Sequence, residues 1–146
     1  EDVQDPGNVG SMLRTAAAAG AAHVLMSKHT AFAWSPKVLR AGQGAHFCVE
    51  IHEDVDLPAW ASAHRAAGGE VVAAVAGGGE NLHEAMFRGR LAVAIGNEGS
   101  GLSPSLLTAA TRRVTIPMHR GVESLNAAAA AAVMMFECVR QRRAAR

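Results

Sequence analysis

The sequence has no tyrosine, only two cysteines and few aromatic side chains, since Phe and Trp together make up 4% of its 146 residues. The cysteines, Cys48 and Cys138, form no CxxC pair and are too few for a disulfide framework, which favours a reducing, cytoplasmic setting. We expect both to be buried as small hydrophobic residues. Because large rings are scarce, the core must consist of alanine and branched aliphatic side chains, which permit close backbone approach.

Long apolar runs are also missing. The most apolar stretches, 15–26 and 125–136, are interrupted by Gly, His or Asn, and neither supplies the roughly 20 uninterrupted apolar residues that a membrane span requires. The acidic, turn-prone segment 1–7 does not resemble a secretory signal. Hydrophobic residues make up 49%, charged residues 18%, and the formal net charge is +1, a composition that excludes intrinsic disorder. We therefore predict one folded, cytoplasmic domain without a membrane anchor.

The spacing of potential metal ligands gives no indication of a metal site. The chain has seven histidines, namely His23, His29, His46, His52, His64, His83 and His119. They form no HxxxH pair and no cluster with cysteine, so no metal is predicted.

Short apolar runs alternate with amphipathic segments along the chain. Strands are predicted at 23–26, 47–51, 71–75, 91–95 and 114–116. Helices are predicted at 9–19, 36–40, 56–67, from 104 onwards and at 125–143, the first capped by Asn8 and the last by Ser124 or a near neighbour. Because apolar strands alternate with helices, we predict the α/β class, with a parallel sheet flanked by helices.

Ligands of open parallel sheets bind beyond the carboxyl ends of the strands, so polar loops at those ends are candidate sites. Segment 5–14 lies elsewhere but is also unusual, because it places Asn8 at a helix start and Arg14 six residues later in an Ala-rich helix. Either Asn8 merely caps the helix while Arg14 pairs with a surface carboxylate, or Arg14 faces an anion such as an RNA phosphate.

Two later segments follow predicted strands. In segment 94–104, three glycines let the backbone turn sharply and approach a ligand, and neither a phosphate loop nor a GxGxxG fingerprint is present. A simple tight turn is the alternative. In segment 116–127, capping would explain Ser124, but it does not explain Asn126, a polar amide at the beginning of an otherwise apolar helix.

In order, spacing and residue type, the three segments resemble the signature motifs of the SpoU-type (TrmH-like) RNA 2'-O-ribose methyltransferases of the SPOUT superfamily. The first motif matches Asn8 and Arg14, the second matches 95–102, and the third matches 116–118 with 124–126. The resemblance covers nearly the whole chain. It implies that residues 1–146 form the family's catalytic domain, with a SPOUT-type trefoil knot in its carboxyl-terminal half.

The resemblance also implies S-adenosylmethionine-dependent methylation of a ribose 2'-hydroxyl in tRNA or rRNA. The implied catalytic residues are Asn8, Arg14, Glu98, Ser124 and Asn126. The implied cofactor-binding residues are Ala76, Gly96, Asn97, Glu98, Gly99, Ile116, Met118, Leu125 and Ala127. Family mechanisms give the role of base to the residue matching Arg14. Because a guanidinium stays protonated in proteins, we expect Arg14 to act through an RNA phosphate or to stabilise developing alkoxide charge.

Family members work as homodimers, with the first and last helices packed across the two-fold axis and each active site completed by the partner. Many carry an additional amino-terminal RNA-binding domain; because this sequence begins at the first motif, we expect that domain to be absent from residues 1–146. A net charge of +1 is weak support for RNA binding. Arg112, Arg113, Arg120 and the terminal arginines up to Arg146 form either a basic rim or solvated surface. The alternative function is a catalytically silent RNA-binding or assembly module.

Overall fold

The computed structural model describes residues 1–144, and in them the α/β class is confirmed. The elements in chain order are α1 (Pro6–Ala18), β1 (His23–Leu25), α2 (Pro36–Gly42), a short 3-10 helix (Ala45–Phe47), β2 (Glu50–His52), α3 (Leu57–Ala66), β3 (Glu70–Ala74), β4 (Glu80–Asn81), β5 (Leu91–Ala94), α4 (Pro104–Ala109), β6 (Arg112–Thr115) and α5 (Ala127–Ala144). Among these residues, no helix is both long and apolar enough to cross a membrane.

Helices α1 to α4 share one type of start, in which a side-chain oxygen caps the first turn and a proline occupies one of its first two positions. The capping residues are Asp5, Ser35, Asp56 and Ser103. Proline suits these positions because its missing N–H would have no partner within the helix. The predicted cap of α1 is wrong: Asp5 Oδ1 accepts the bond from the backbone N–H of Asn8 at 2.7 Å, so Asn8 lies inside the first turn.

The strands form two parallel sheets. Strands β1 and β2 pair with each other, while the larger sheet has the order β4-β6-β3-β5. Strand β3 lies at its centre, with Val71 and Val72 fully buried, as expected for a strand that is apolar on both faces. The two sheets face a common apolar cleft of about 1000 Å³.

Two details of the prediction are wrong between 45 and 52. The predicted strand 47–51 lies at Glu50–His52, because residues 45–47 form the 3-10 helix and the Phe47 side chain is 91% exposed. Of the two cysteines, Cys138 is buried as expected, whereas Cys48 is exposed. The strand predicted from the β-rich composition is therefore present, but it begins at Glu50 and not at Phe47.

Small residues allow α1 and α2 to pack at short distance. A Cβ atom added to Gly10 would lie 2.4 Å from Ala41 Cβ and 2.7 Å from the Val38 carbonyl oxygen, so only glycine fits there. Helix α1 also packs against α5, the longest helix. One side of α5 buries Ala131 and Met134 in the core, while Val133 and Phe136 remain exposed. Helix α5 thus has apolar residues on a second face.

Candidate active site

Three of the predicted cofactor loops meet at one edge of the larger sheet. Strands β3, β5 and β6 are parallel neighbours, so Ala76, Gly96 and Ile116, which follow them, lie beyond the same carboxyl edge. The loop after β3 is joined to the end of β6, because the backbone N–H of Gly79 donates to Thr115 Oγ1 at 3.0 Å. The sheet topology thus brings together segments that are up to 40 residues apart in the sequence.

The loop after β5 is a tight, self-bonded turn. Asn97 and Gly101 exchange backbone hydrogen bonds of 3.1 and 2.9 Å, and Gly101 has a φ of +70°. Asn97 Oδ1 accepts the backbone N–H groups of Gly99 and Ser100 at 2.8 and 3.0 Å, while its Nδ2 donates to the Asp2 carbonyl oxygen at 2.8 Å. The Asn97 side chain therefore fixes the loop, and what the loop offers to a ligand is its backbone.

Side chains of all three motifs meet in one hydrogen-bonded chain. Asn8 Nδ2 donates to Glu98 Oε1 at 2.9 Å, and Asn126 Nδ2 donates to Asn8 Oδ1 at 2.9 Å. These bonds span 90 and 118 residues of sequence. We call this chain the Glu98–Asn8–Asn126 network. Three of the five predicted catalytic residues thus lie at one place.

Asn126 is also the cap of α5. Its Oδ1 accepts the backbone N–H groups of Ala128 and Ala129 at 2.9 and 3.2 Å. The prediction that a near neighbour of Ser124 caps this helix is therefore confirmed, and the predicted helix start at Leu125 is two residues early. Because capping uses only the oxygen, the Asn126 amide nitrogen is free to bind Asn8. The Asn126 side chain thus both caps α5 and joins the network, which explains a polar amide at the beginning of an otherwise apolar helix.

Glu98 is held in its charged form by the network. Partial desolvation opposes ionisation, but the hydrogen bond from Asn8 and bonds from nearby backbone N–H groups outweigh it, and the net effect lowers the pKa of Glu98 from its ordinary value of 4.5. The carboxylate also lies beside the first turn of α1, where the helix dipole favours negative charge. Glu98 is therefore a hydrogen-bond acceptor at neutral pH.

The lowered pKa predicts a pH-dependent contribution of Glu98 to stability. Since the folded-state value lies below the unfolded one, the contribution is present above pH 4.5 and is lost as the pH falls through the lowered value. The difference in free energy of unfolding between the wild type and Glu98→Gln is expected to be constant near neutral pH and to shrink on acidification, as measured by urea denaturation. Glu123→Gln, at another exposed position, serves as the control. A difference that grows on acidification would contradict the prediction.

Arg14 and Ser124 are not part of this network. Six residues along α1 from Asn8, Arg14 lies about 9 Å further along the axis and about 120° around it. Its side chain is exposed, and within the described residues no group forms a hydrogen bond or ion pair with it. Ser124 is exposed in the loop before α5. Within one chain, Arg14 therefore lies on a different side of α1 from Asn8 and forms no hydrogen bond to the Glu98–Asn8–Asn126 network.

The other predicted cofactor residues lie in the segment that connects β6 to α5 and at the first residue of α5. Ile116 is half-buried against the core, Met118 is half-buried, Leu125 is 41% exposed, and Ala127 is buried at the first turn of α5. These positions combine an apolar surface with an exposed loop. The arrangement suits a ligand that is partly apolar and is held mainly by backbone groups.

The predicted basic rim is reduced by ion pairing. Arg112 Nε lies 2.7 Å from Glu70 Oε1, and its Nη1 lies 3.2 Å from Glu80 Oε2. Arg113 and Arg120 are exposed, whereas Arg146 lies outside the described residues. The pairing of Arg112 could not be read from spacing, because its partners lie on the neighbouring strands β3 and β4.

A family model described as the SpoU rRNA Methylase family matches residues 1–136. The chain therefore belongs to this family. It is 37% identical over 134 residues to the 23S rRNA (guanosine(2553)-2'-O)-methyltransferase RlmP of Bacillus subtilis, a match that covers 92% of this chain and 54% of that protein. The chain spans about half the length of the curated relatives it matches.

Two solved structures share the fold, and one of them is described as a SpoU methyltransferase. The SpoU methyltransferase AviRb of Streptomyces viridochromogenes, crystallised in complex with AdoMet, matches with a TM-score of 0.89 and 34% identity over 99% of this chain and 57% of that one. A structure from work on the 2-OH methylation of C/U34 on tRNA matches with a TM-score of 0.84 and 33% identity. The match covers 98% of this chain and 93% of that chain. A chain with this fold and of nearly this length thus exists among solved structures.

Proposed function

We propose that residues 1–146 form a catalytic domain that transfers a methyl group from S-adenosylmethionine to a ribose 2'-hydroxyl of rRNA or tRNA. The observation that carries the proposal is the Glu98–Asn8–Asn126 network, which joins all three motifs beside the carboxyl edge of the sheet. The similarity to rRNA 2'-O-methyltransferases and to a structure containing AdoMet supports the same reaction. A merely structural module would not need two amides and a carboxylate from three separate motifs to meet at an exposed edge of the sheet.

The loops at the carboxyl edge fit such a cofactor. A Cβ atom at Gly77 would meet nothing within 4 Å, and one at Gly99 would meet only Asn97 Oδ1 at 3.5 Å, so ligand atoms can approach the backbone there. Backbone groups of 96–99 and 116–118 would read the adenine, with Leu125 and Ala127 providing apolar surface. Ala76 would close the site from the β3 side.

The reaction is an in-line displacement, which requires the ribose oxygen, the methyl carbon and the sulfur to be nearly collinear. The cofactor supplies an electrophilic methyl group on its sulfonium. The network would fix the first turn of α1 and the start of α5, and with Ser124 it would orient the ribose. Arg14 would stabilise the negative charge that develops on the 2'-oxygen, and the hydroxyl proton would pass to an RNA phosphate oxygen held by the guanidinium.

The position of Arg14 supports a homodimer. Because Arg14 is exposed and forms no hydrogen bond or ion pair within the described residues of its own chain, we propose that it reaches the active site of a partner copy. The exposed apolar residues Val133 and Phe136 on α5, next to α1, support packing of these two helices across a two-fold axis. Membership of the SpoU family supports the proposal of a trefoil knot in the carboxyl-terminal half. The similarity to a 23S rRNA methyltransferase of Bacillus subtilis supports the proposal of a cytoplasmic enzyme.

Two measurements on the same protein test the function. Calorimetry with S-adenosylmethionine is expected to show saturable binding, and incubation with methyl-labelled cofactor and total RNA is expected to yield 2'-O-methylated nucleosides on mass spectrometry of the digest. If the protein binds S-adenosylmethionine but methylates neither rRNA nor tRNA, the enzymatic proposal is contradicted. Absence of both would favour the silent RNA-binding or assembly module.

A further inference from the structure

Parallel pairing of β1 and β2 creates a cluster of metal-ligating side chains away from the Glu98–Asn8–Asn126 network. The register places His23 beside Glu50, and His52 follows two residues later on the same face of β2. His23 Nδ1 lies 2.8 Å from Glu50 Oε2 and 3.3 Å from His52 Nε2, while His52 Nε2 lies 3.9 Å from Glu50 Oε2. We call these residues the His23–Glu50–His52 cluster.

These distances match the spacing of ligands around one transition-metal ion. Zinc binds His nitrogen and carboxylate oxygen at about 2.0–2.2 Å in a tetrahedral arrangement, in which two ligand atoms lie about 3.3–3.5 Å apart. The three observed separations, 2.8, 3.3 and 3.9 Å, lie on both sides of that value. Small rotations of the side chains would equalise them.

The chemistry of the three side chains favours a metal over a simple hydrogen-bonded cluster. His23 Nδ1 and His52 Nε2 face each other at 3.3 Å. A hydrogen bond between them requires one of these nitrogens to carry a proton, whereas a metal cation can bind the lone pairs of both. The carboxylate supplies one negative charge, and two imidazoles with one carboxylate form a donor set used for zinc and other divalent transition metals. All three side chains are exposed, so an ion can enter and keep a water molecule as its fourth ligand.

We propose that His23, Glu50 and His52 bind one divalent transition-metal ion, with Zn²⁺ as the ion that suits this donor set. The ion would connect β1 to β2, a pair of three-residue strands, and would stabilise this small sheet. The site would be structural with respect to the proposed methyl transfer, since it uses none of the residues of the three motifs.

Zinc titration of the untagged, metal-free protein tests the site. Calorimetry is expected to give one Zn²⁺ per chain, and Co²⁺ used as a spectroscopic substitute is expected to give the visible absorption of a tetrahedral complex. His23→Ala and His52→Ala are each expected to weaken Zn²⁺ binding by about 100-fold or more, because each removes one of three protein ligands and loss of even an outer-shell partner costs about 10–100-fold. Glu50→Ala is expected to weaken binding as well. His29→Ala, at another exposed histidine, is the matched control and should bind as the wild type does.

A second readout guards against variants that fold poorly. Zn²⁺ is expected to raise the thermal unfolding midpoint of the wild type and of His29→Ala but not of a His23→Ala/His52→Ala double variant, whose midpoint without metal shows that it still folds. Equal Zn²⁺ binding by all variants would overturn the proposal, and so would a wild type that binds no Zn²⁺. Failure of methyl transfer would leave this result unaffected.

Discussion

Replacing Arg14 by alanine is expected to reduce methyl transfer by about 10²–10³-fold, the usual cost of removing one group that stabilises developing negative charge. Binding of S-adenosylmethionine should be unchanged, because Arg14 lies outside the loops at the carboxyl edge of the sheet. Arg14→Lys should recover only part of the rate, since lysine keeps the charge but loses the planar fork. Rates under single-turnover conditions and calorimetry of cofactor binding measure the two effects separately.

Arg88→Ala, at another exposed arginine, is the control and should transfer methyl groups at the wild-type rate. If Arg14 acts on the partner's site, mixing Arg14→Ala chains with Asn126→Ala chains should restore activity, because each heterodimer then contains one site with an intact network and an intact arginine. If Arg14 acts within its own chain, the mixture stays inactive. Wild-type transfer by Arg14→Ala would remove this residue from the mechanism.

The fold class could be predicted because the physical signals are local. Buried parallel strands such as β3 are short apolar runs, and the Pro residues of α2 and α4 directly follow their capping serines. The start of a helix is harder to predict where the sequence offers two possible capping residues. Asp5 precedes Pro6 and fixes the start of α1, so Asn8 is released from capping and becomes available to Glu98.

Contacts between distant segments could not be predicted from periodicity. The His23–Glu50–His52 cluster depends on the register of two parallel strands, and no spacing along the chain encodes that register. The Glu98–Asn8–Asn126 network was predicted only through resemblance to a family, because single polar residues in three separate segments have no pattern of their own. The exposure of Cys48 likewise follows from the turn around 45–48 and not from its residue type.

Replacing Gly96 by alanine is expected to be the most damaging substitution in the loop after β5. A Cβ atom there would lie 2.2 Å from Gly101 C and 2.4 Å from Leu102 N, which are backbone atoms that cannot rotate away. The loop must open, so the Asn97–Gly101 hydrogen bonds are lost. We expect destabilisation of about 1–3 kcal/mol from overpacking and loss of measurable S-adenosylmethionine binding. Urea denaturation and calorimetry measure the two effects.

Gly99→Ala tests cofactor binding by this loop without disturbing the fold of the loop. At Gly99 the added Cβ would make only an ordinary contact, 3.5 Å from Asn97 Oδ1, so the free energy of unfolding should stay at the wild-type value. If the cofactor lies against the backbone of 96–99, Gly99→Ala should nevertheless weaken its binding, because the methyl group fills space that the ligand needs. Unchanged stability with weakened binding would place the ligand at this loop. A Gly96→Ala protein as stable as the wild type would show that the loop does not have the closed geometry on which this argument depends.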